Sequence, residues 1–481
     1  MANGGNIPGC YFGSKYVKIY KLDKEDAIRC IELGVITMSE QEEITSRQKV
    51  AAFHTLGCKV NQDESEAMET LFKQAGYAIG DFEEAADVYV INTCTVTHLS
   101  DRKSRQMIRR ARKTNPDAVV LVTGCYAQTS SEEVAAMEDV DLVVGNNQRS
   151  HVVELVEAFE HDHQKRQLVT ASRTFTDFEE LPMDREIHMT RAYLKVQEGC
   201  EQFCTYCIIP YARGPLRSRS LDNTLAEAKK LEEAGFKELI LTGIHLGAYG
   251  QEKGGSGLDI TKLCQAILDA TDHIRLRLSS LEPTEVSDEL IELIAHNDRM
   301  CRHLHLPLQA GHDEVLKRMN RPYDTADYRA QLEKIRQAVP DIAISTDLMV
   351  GFPGETDDQF RSCLAFCDEM AFSGMHIFKY SPREGTPASL FPDQISAADK
   401  DQRSKKMAAV AEKNKQRFQE RFLGQKVLVL AEEQGEDGAW EGHTDNYLLV
   451  RFTGEAERGE LVWVELLSSS RKAMQGKRVE A

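Results

Sequence analysis

Tyr193-Leu194-Lys195-Val196-Gln197-Glu198-Gly199-Cys200-Glu201-Gln202-Phe203-Cys204-Thr205-Tyr206-Cys207 is the stretch that decides how this chain is read. Its opening residues form a strand, and three cysteines follow at x3 and x2 spacing. Three thiolates on one short loop can grip one face of a [4Fe–4S] cube. No fourth cysteine follows at short spacing, so one iron is left open to chelate a substrate, as a catalytic zinc keeps an open position. A zinc site and a group of buried thiols are the alternatives that the spacing leaves.

That first strand begins a regular array. Strands are predicted at 193–197, 238–242, 274–278, 304–306, 342–349 and 375–380. Helices are predicted between them at 224–234, 260–270, 287–296, 328–339 and 359–370. Six βα units predict a partial (β/α)6 barrel over 189–422, with chemistry at the carboxyl ends of its strands. A charged helix, 397–422, closes this region. Upstream, apolar runs at 50–56, 88–92, 118–122 and 142–144 alternate with amphipathic stretches. They predict a doubly wound parallel α/β domain over 49–160. Residues 161–188 are polar and read as a linker. Beyond Gly424 the β-rich runs 426–431, 447–452 and 460–467 predict a small antiparallel β-barrel over 423–481 that holds both tryptophans, Trp440 and Trp463. Residues 1–48 read as an extension without assigned role, explained by a start chosen upstream of Met38; 23–33 is a candidate helix.

Composition narrows the class. The chain has 481 residues, 41% hydrophobic and 28% charged, with ample length for several cores. No apolar run approaches the ~20 residues of a membrane span, and residues 1–19 lack the apolar core of a secretory signal. Twelve cysteines without such a signal point to a reducing, cytoplasmic setting, where cysteine clusters hold metal or act chemically. The net charge of -18 argues against sequence-blind nucleic-acid binding. Local exceptions exist. Arg102, Lys103, Arg105, Arg109, Arg110, Arg112 and Lys113 place seven cations in twelve residues, either a solvated helix face or a phosphate track. The terminal barrel is itself acidic, 7 Lys and Arg against 11 Asp and Glu from residue 424 onward. RNA contact there needs a patch such as Arg471, Lys472, Lys477 and Arg478. Cys363 and Cys367 lie four apart on a predicted helix and read as core, as do Cys264 and Cys301.

The cysteine loop, with its aromatic Tyr206 before the last cysteine, resembles the radical S-adenosylmethionine signature. The following Ile208-Ile209-Pro210-Tyr211-Ala212-Arg213-Gly214-Pro215-Leu216-Arg217-Ser218-Arg219 resembles the methylthiotransferase branch of that superfamily. Within the branch, it is most similar to enzymes acting on threonylcarbamoyl-adenosine in transfer RNA. Gly57-Cys58-Lys59-Val60-Asn61-Gln62, Asn92-Thr93-Cys94, Thr123-Gly124-Cys125 and Gly351-Phe352-Pro353-Gly354 match as well. The likeness runs from about Val50 to the end, and the last barrel resembles the RNA-binding domain called TRAM. Asp63 departs from it, where Tyr is expected.

The resemblance implies two [4Fe–4S] clusters, one held by Cys200, Cys204 and Cys207 and one by Cys58, Cys94 and Cys125. Each of the second three follows a predicted parallel strand, so the crevice at the sheet's carboxyl end can gather them. It implies S-adenosylmethionine on the open iron of the first cluster, cleaved by one electron to methionine and a 5′-deoxyadenosyl radical. That radical takes hydrogen from C2 of adenosine 37 in the anticodon loop of tRNA, and sulfur carried at the second cluster is inserted. Methyl comes from a second S-adenosylmethionine, and electrons from a donor such as flavodoxin or ferredoxin. Tyr206, Gly243, Arg277, Ser279, His305, Gln309, Gly351 and Gly354 are the expected cofactor pocket. Arg213, Arg217, Arg219, Arg109, Arg110, Arg112 and Lys113 are the expected RNA contacts. Methylthiolation of isopentenyl-adenosine in tRNA, methylthiolation of a ribosomal protein aspartate, and a non-catalytic iron–sulfur or zinc RNA-binding module are the alternatives.

Overall fold

A computed structural model describes residues 47–183 and 190–480, with two short antiparallel strands, Cys10–Tyr11 and Lys18–Ile19, ahead of them. The candidate helix 23–33 of the expected extension lies outside the described residues.

Six parallel strands build the first sheet, in spatial order Ala78–Gly80, Val50–Thr55, Val88–Thr93, Val119–Gly124, Leu142–Val144 and Arg166–Leu168. Val88–Thr93 and Val119–Gly124 are buried at every position, which is why each opens with a run of four apolar residues. Chain order reverses between Val50–Thr55 and Val88–Thr93, so the switch-point crevice opens beyond their carboxyl ends. Two strands were not legible: Ala78–Gly80, and Arg166–Leu168 inside the segment 161–188 expected to be a linker. Neither is fully buried, so neither gives the apolar run that marks the equally short Leu142–Val144.

The barrel strands Arg191–Glu198, Glu238–Gly243, Arg275–Leu278, His303–His305, Ala343–Val350 and Gly374–Lys379 run parallel in chain order. Bridges Leu276 to Met300 and Ser280 to His305 join the third and fourth. Ser220, Asp259, Ser287, Asp324, Thr356 and Ser396 each cap a helix by accepting a backbone N–H, so the βα boundaries are written in side chains. The first-domain helix Lys59–Gln74 packs against the first two barrel strands. It is buried on both faces, Met68 and Phe72 toward its own sheet and Glu64 toward the barrel.

After helix Ala397–Glu420, five strands close a barrel: Lys426–Gln434, Trp440–Thr444, Leu449–Thr453, Leu461–Ser469 and Met474–Arg478. Four pairs are antiparallel, and a parallel pair, Leu449–Thr453 with Met474–Arg478, completes the ring. Trp440 is core, while Trp463 remains 38% exposed. This small barrel docks at the amino ends of the large barrel's strands. Buried Glu238 accepts from Arg275 at 2.5 Å and Arg277 at 2.7 Å. Arg277 also donates to the carbonyls of Thr444 and Asp445, at 3.0 and 2.8 Å. Tyr447 stacks between His303 and His443, with ring centroids 4.6 and 4.8 Å away. Arg277, expected in the cofactor pocket, is therefore part of this floor. It is 1% exposed and serves a buried carboxylate at the end opposite the cysteine loop.

Glu238→Gln would leave two guanidiniums buried without a counter-charge, a loss of roughly 3–5 kcal/mol. The expected outcome is looser docking of the small barrel, read as faster tryptic cleavage near Arg421. Wild-type proteolysis kinetics would contradict this role.

Candidate metal centres and the crevice beside them

Cys58, Cys94 and Cys125 lie just beyond the strands Val50–Thr55, Val88–Thr93 and Val119–Gly124, at the switch point. Two glycines let these loops approach. Gly57 has φ +115°, and a Cβ there would stand 3.0 Å from Cβ of Cys94. Gly124 has φ +92°, and a Cβ would stand 2.4 Å from the Thr93 carbonyl oxygen. Asn61 staples the loops: its Nδ2 donates to the carbonyls of Leu56 at 2.8 Å and Thr93 at 3.1 Å, and its Oδ1 lies 3.7 Å from Cys58 Sγ.

Arg213 completes the group from the other domain. Its Nε donates to Cys125 Sγ at 3.2 Å and its Nη2 to Asn61 Oδ1 at 2.8 Å. The helical turn Ile209–Arg213 starts two residues after Cys207, so one turn connects the two cysteine triads. Arg213 is fully buried in a six-charge network. Glu64 takes Arg213 at 2.5 Å, Arg149 at 2.9 Å and Lys195 at 3.0 Å; Glu198 takes Arg213 at 3.2 Å and Lys195 at 3.1 Å; Glu179 takes Arg149 at 2.8 Å. Three cations meet three carboxylates. Burial alone would raise the Glu64 carboxyl, but Arg149, Arg213 and Lys195 hold it well below the usual carboxylate range.

The second triad is built on a loop cradled by the barrel. Cys204 is buried, and Cys200 and Cys207 are half-buried. Arg321 Nη1 donates to Cys204 Sγ at 3.3 Å and its Nη2 bonds Tyr323 and Glu282. His245 sits with Nδ1 3.8 Å from Cys200 Sγ and Nε2 2.5 Å from Glu285. Each triad thus meets one buried guanidinium at one sulfur. Burial, then the neighbouring thiols, pushes Cys94 up to about 11 and Cys207 to about 12. As thiolates, such triads need a compensating cation, and three sulfurs with N–H donors aimed at them fit an iron–sulfur cube.

Of the expected cofactor residues, Tyr206 packs on the barrel core next to this loop, and Gly243 ends the second strand against Gln197. Ser279 is buried with its hydroxyl lacking a partner, a polar atom left for a ligand. Gln309 adopts φ +65° beyond the fourth strand. Gly351 and Gly354 have φ +72° each, but a Cβ there would meet Lys400 and Arg318. His305 lies deeper, beside Asp347 at 3.3 Å.

The expected RNA contacts divide. Arg213 is excluded from the surface by the network above. Arg217 is 3% exposed and donates to the carbonyls of Arg213 and Pro215. Arg219 pairs with Glu180, and Arg112 ties the carbonyls of Pro116 and Ala118 to Asp141. Carboxylates and loop carbonyls claimed these side chains, an exposed carboxylate in the case of Arg219. Arg109, Arg110 and Lys113 are exposed on helix His98–Thr114, Arg110 paired with the equally exposed Glu83. Near its start a crevice of about 1220 Å³ is lined by Arg105, Tyr126, Arg173, Cys200, Phe203 and Tyr211. Phe203 and Tyr211 are 50% and 44% exposed and meet edge to face. Asn61, Glu64 and Arg321 were missed as site residues. Asn61 and Glu64 lie within or just past a quoted motif; for Arg321, 114 positions beyond Cys207, no sequence signal exists.

Residues 50–145 match the uncharacterized protein family UPF0004, and residues 194–367 the radical SAM superfamily. The threonylcarbamoyladenosine tRNA methylthiotransferase MtaB of Bacillus subtilis is 42% identical over 87% of this chain and 94% of its own length. Its namesake from Aquifex aeolicus is 38% identical over 86% and 99%. A tRNA-2-methylthio-N(6)-dimethylallyladenosine synthase of Novosphingobium aromaticivorans is 34% identical over 92% and 100%. Among solved structures, the radical S-adenosylmethionine methyltransferase TsrM from Kitasatospora setae, with cobalamin and a [4Fe-4S] cluster bound, shares the fold. Its TM-score is 0.51 at 14% identity, covering 72% of this chain and 77% of that one.

Glu64→Gln should lower stability by roughly 3–5 kcal/mol near pH 7, because buried cations lose their partner. Glu64 and Glu198 are both held below their ordinary value of 4.5. The wild-type advantage is therefore complete above that pH and shrinks as pH falls below it. Urea unfolding at neutral pH and near pH 3.5 measures the gap; a gap that widens on acidification would contradict the network's charge states.

Proposed function

We propose a tRNA methylthiotransferase acting on N6-threonylcarbamoyladenosine at position 37: the chain belongs to the radical S-adenosylmethionine methylthiotransferase family. One observation carries the reading. Two cysteine triads, each with a guanidinium at one sulfur, are joined by the single helical turn Ile209–Arg213. Cys200, Cys204 and Cys207 would hold one [4Fe–4S] cluster, and Cys58, Cys94 and Cys125 the other. With S-adenosylmethionine bound, these groups supply the radical and sulfur chemistry that an aromatic C–H bond demands and acid–base side chains cannot provide.

The protein's own residues supply placement. The buried network fixes the spacing of the triads. Phe203 and Tyr211 offer stacking faces beside Cys200, and Arg105 and Arg173 offer charge for phosphates. An anticodon-loop base reaches such a crevice without melting a duplex. Arg109, Arg110 and Lys113 extend the cationic surface along helix His98–Thr114, and the terminal barrel holds the tRNA body. No helix among the described residues is long and apolar enough to cross a membrane. The reading places the enzyme in the cytoplasm, with an electron donor such as flavodoxin or ferredoxin. Identity is higher to the two threonylcarbamoyladenosine enzymes quoted than to the dimethylallyladenosine enzyme, which favours the former substrate.

Nucleoside mass spectrometry of tRNA from cells without the gene, and with it restored, tests this. Loss and return of the 2-methylthio form of threonylcarbamoyladenosine is expected; a change confined to the dimethylallyl form would reassign the substrate. Cys204→Ala is expected to abolish reductive cleavage of S-adenosylmethionine. Cys94→Ala is expected to keep part of that cleavage and lose methylthiolation. Full methylthiolation by either variant would refute the assignment.

A further inference from the structure

The inward face of the large barrel carries a polar cluster that neither triad uses. Asp347 and His376 are register partners on the fifth and sixth strands, and His305 and Ser345 on the fourth and fifth. His305 Nδ1 lies 2.9 Å from Ser345 Oγ, and its Nε2 lies 3.3 Å from Asp347 Oδ1. Ligand-capable atoms of His305, Asp347 and His376 all fall within 4.8 Å of one another. The sixth strand sends Met375 and Ile377 into the core and leaves His376 and Phe378 exposed, so the cluster opens to a reachable interior. It lies above the floor formed by Arg277, His303 and Tyr447.

A cation of the first domain lies near this interior. Lys59 opens the helix that packs on the first two barrel strands, directly after Cys58. It is half-buried, and its charge is felt at His303 and His376, with Arg191, Arg277 and Glu238 around it. No hydrogen bond or ion pair to it is found among the described residues. Burial lowers His376, with Asp347 opposing and His305 and Lys59 adding to the shift, so its imidazole is neutral at pH 7.

We propose that Lys59, His305, Asp347 and His376 form the pocket for the N6-threonylcarbamoyl group of the target nucleoside. This rests on the substrate reading above and names its specificity site. The group's chemistry matches the set: a carboxylate for the Lys59 ammonium, a hydroxyl and ureido N–H groups for Asp347, and further polar atoms for two imidazoles. A dimethylallyl group has no polar atom to offer. Entering here, it would desolvate the Lys59 ammonium and the Asp347 carboxylate and return a hydrogen bond to neither, so the pocket selects by rejection as well as by attraction. Sites built to hydrogen-bond a substrate group discriminate against analogues lacking it by about ten-thousandfold or more.

The test compares the reconstituted wild-type enzyme with Lys59→Met and Asp347→Asn, with full cluster iron as the criterion of folding. Three tRNA substrates are used: one with threonylcarbamoyladenosine at position 37, one with its carboxylate methyl-esterified, and one with dimethylallyladenosine. Lys59→Met should lower kcat/KM on the free acid by about tenfold or more, chiefly through KM, and should no longer distinguish acid from ester. Asp347→Asn should weaken both acid and ester, and narrow the preference over the dimethylallyl substrate. If the wild type works on the free acid and both variants keep its kcat/KM and its acid-over-ester preference, the pocket is wrong and the substrate reading stands. If the wild type ignores the free acid and modifies the dimethylallyl tRNA, the substrate reading fails and the pocket with it. Stoichiometric zinc in the wild type that disappears in Asp347→Asn would also overturn the pocket, making the cluster a metal site.

Discussion

Glu64 holds three cations in a place without water. It sits on a helix buried on both faces, and Arg149, Lys195 and Arg213 converge on its two oxygens. Taking such charges out of water is costly, and a well-packed apolar replacement is often no less stable. What the arrangement provides is registry. Lys195 and Arg213 belong to the barrel and Glu64 and Arg149 to the first domain, so the domains can dock in one position only if every charge is to be matched. Arg213 also ends the turn that leaves the Cys200–Cys207 loop and donates to Cys125. Positions of the two triads are thereby tied to the same interaction.

A second clamp lies on the far side. Arg383, past the sixth barrel strand, reaches Asp101 at 2.6 Å and Thr95 in the first domain. The first domain is fixed to both edges of the open barrel and the small barrel lies under its floor, so the interior is walled at its edges and base. The crevice beside Cys200 lies along one side of that assembly. Radical chemistry suits such an enclosure, since a reactive intermediate is shielded from water and side reactions. Open strand ends supply the loops for the chemistry, while the buried ends carry structural arginines.

Central strands were legible because burial on both faces leaves a continuous apolar run, Val88 to Ile91 in Val88–Thr93, before polar residues at the carboxyl end. The three-residue strands Ala78–Gly80 and Arg166–Leu168 were not. The six clustered cysteines were legible from spacing for one triad and only through family likeness for the other, whose members lie 36 and 31 positions apart. Arginines were the least legible. An arginine after a cysteine loop looks the same whether it meets a phosphate or a buried glutamate; Arg213 and Arg217 turned inward, as did Arg277. The partner decides, and Glu64 lies 149 positions from Arg213. Lys59 stood in a quoted motif, yet its role depends on strands that begin more than 130 residues later.

One buried network thus ties the two proposed iron–sulfur centres to a single docking of the domains. Electron paramagnetic resonance of the reconstituted, dithionite-reduced enzyme tests it most directly, read beside iron and sulfide content. Two [4Fe–4S] clusters per chain are expected, with spin–spin coupling between them that weakens in Arg213→Lys while cluster content persists. One cluster per chain, or two that show no coupling in the wild type, would contradict the account.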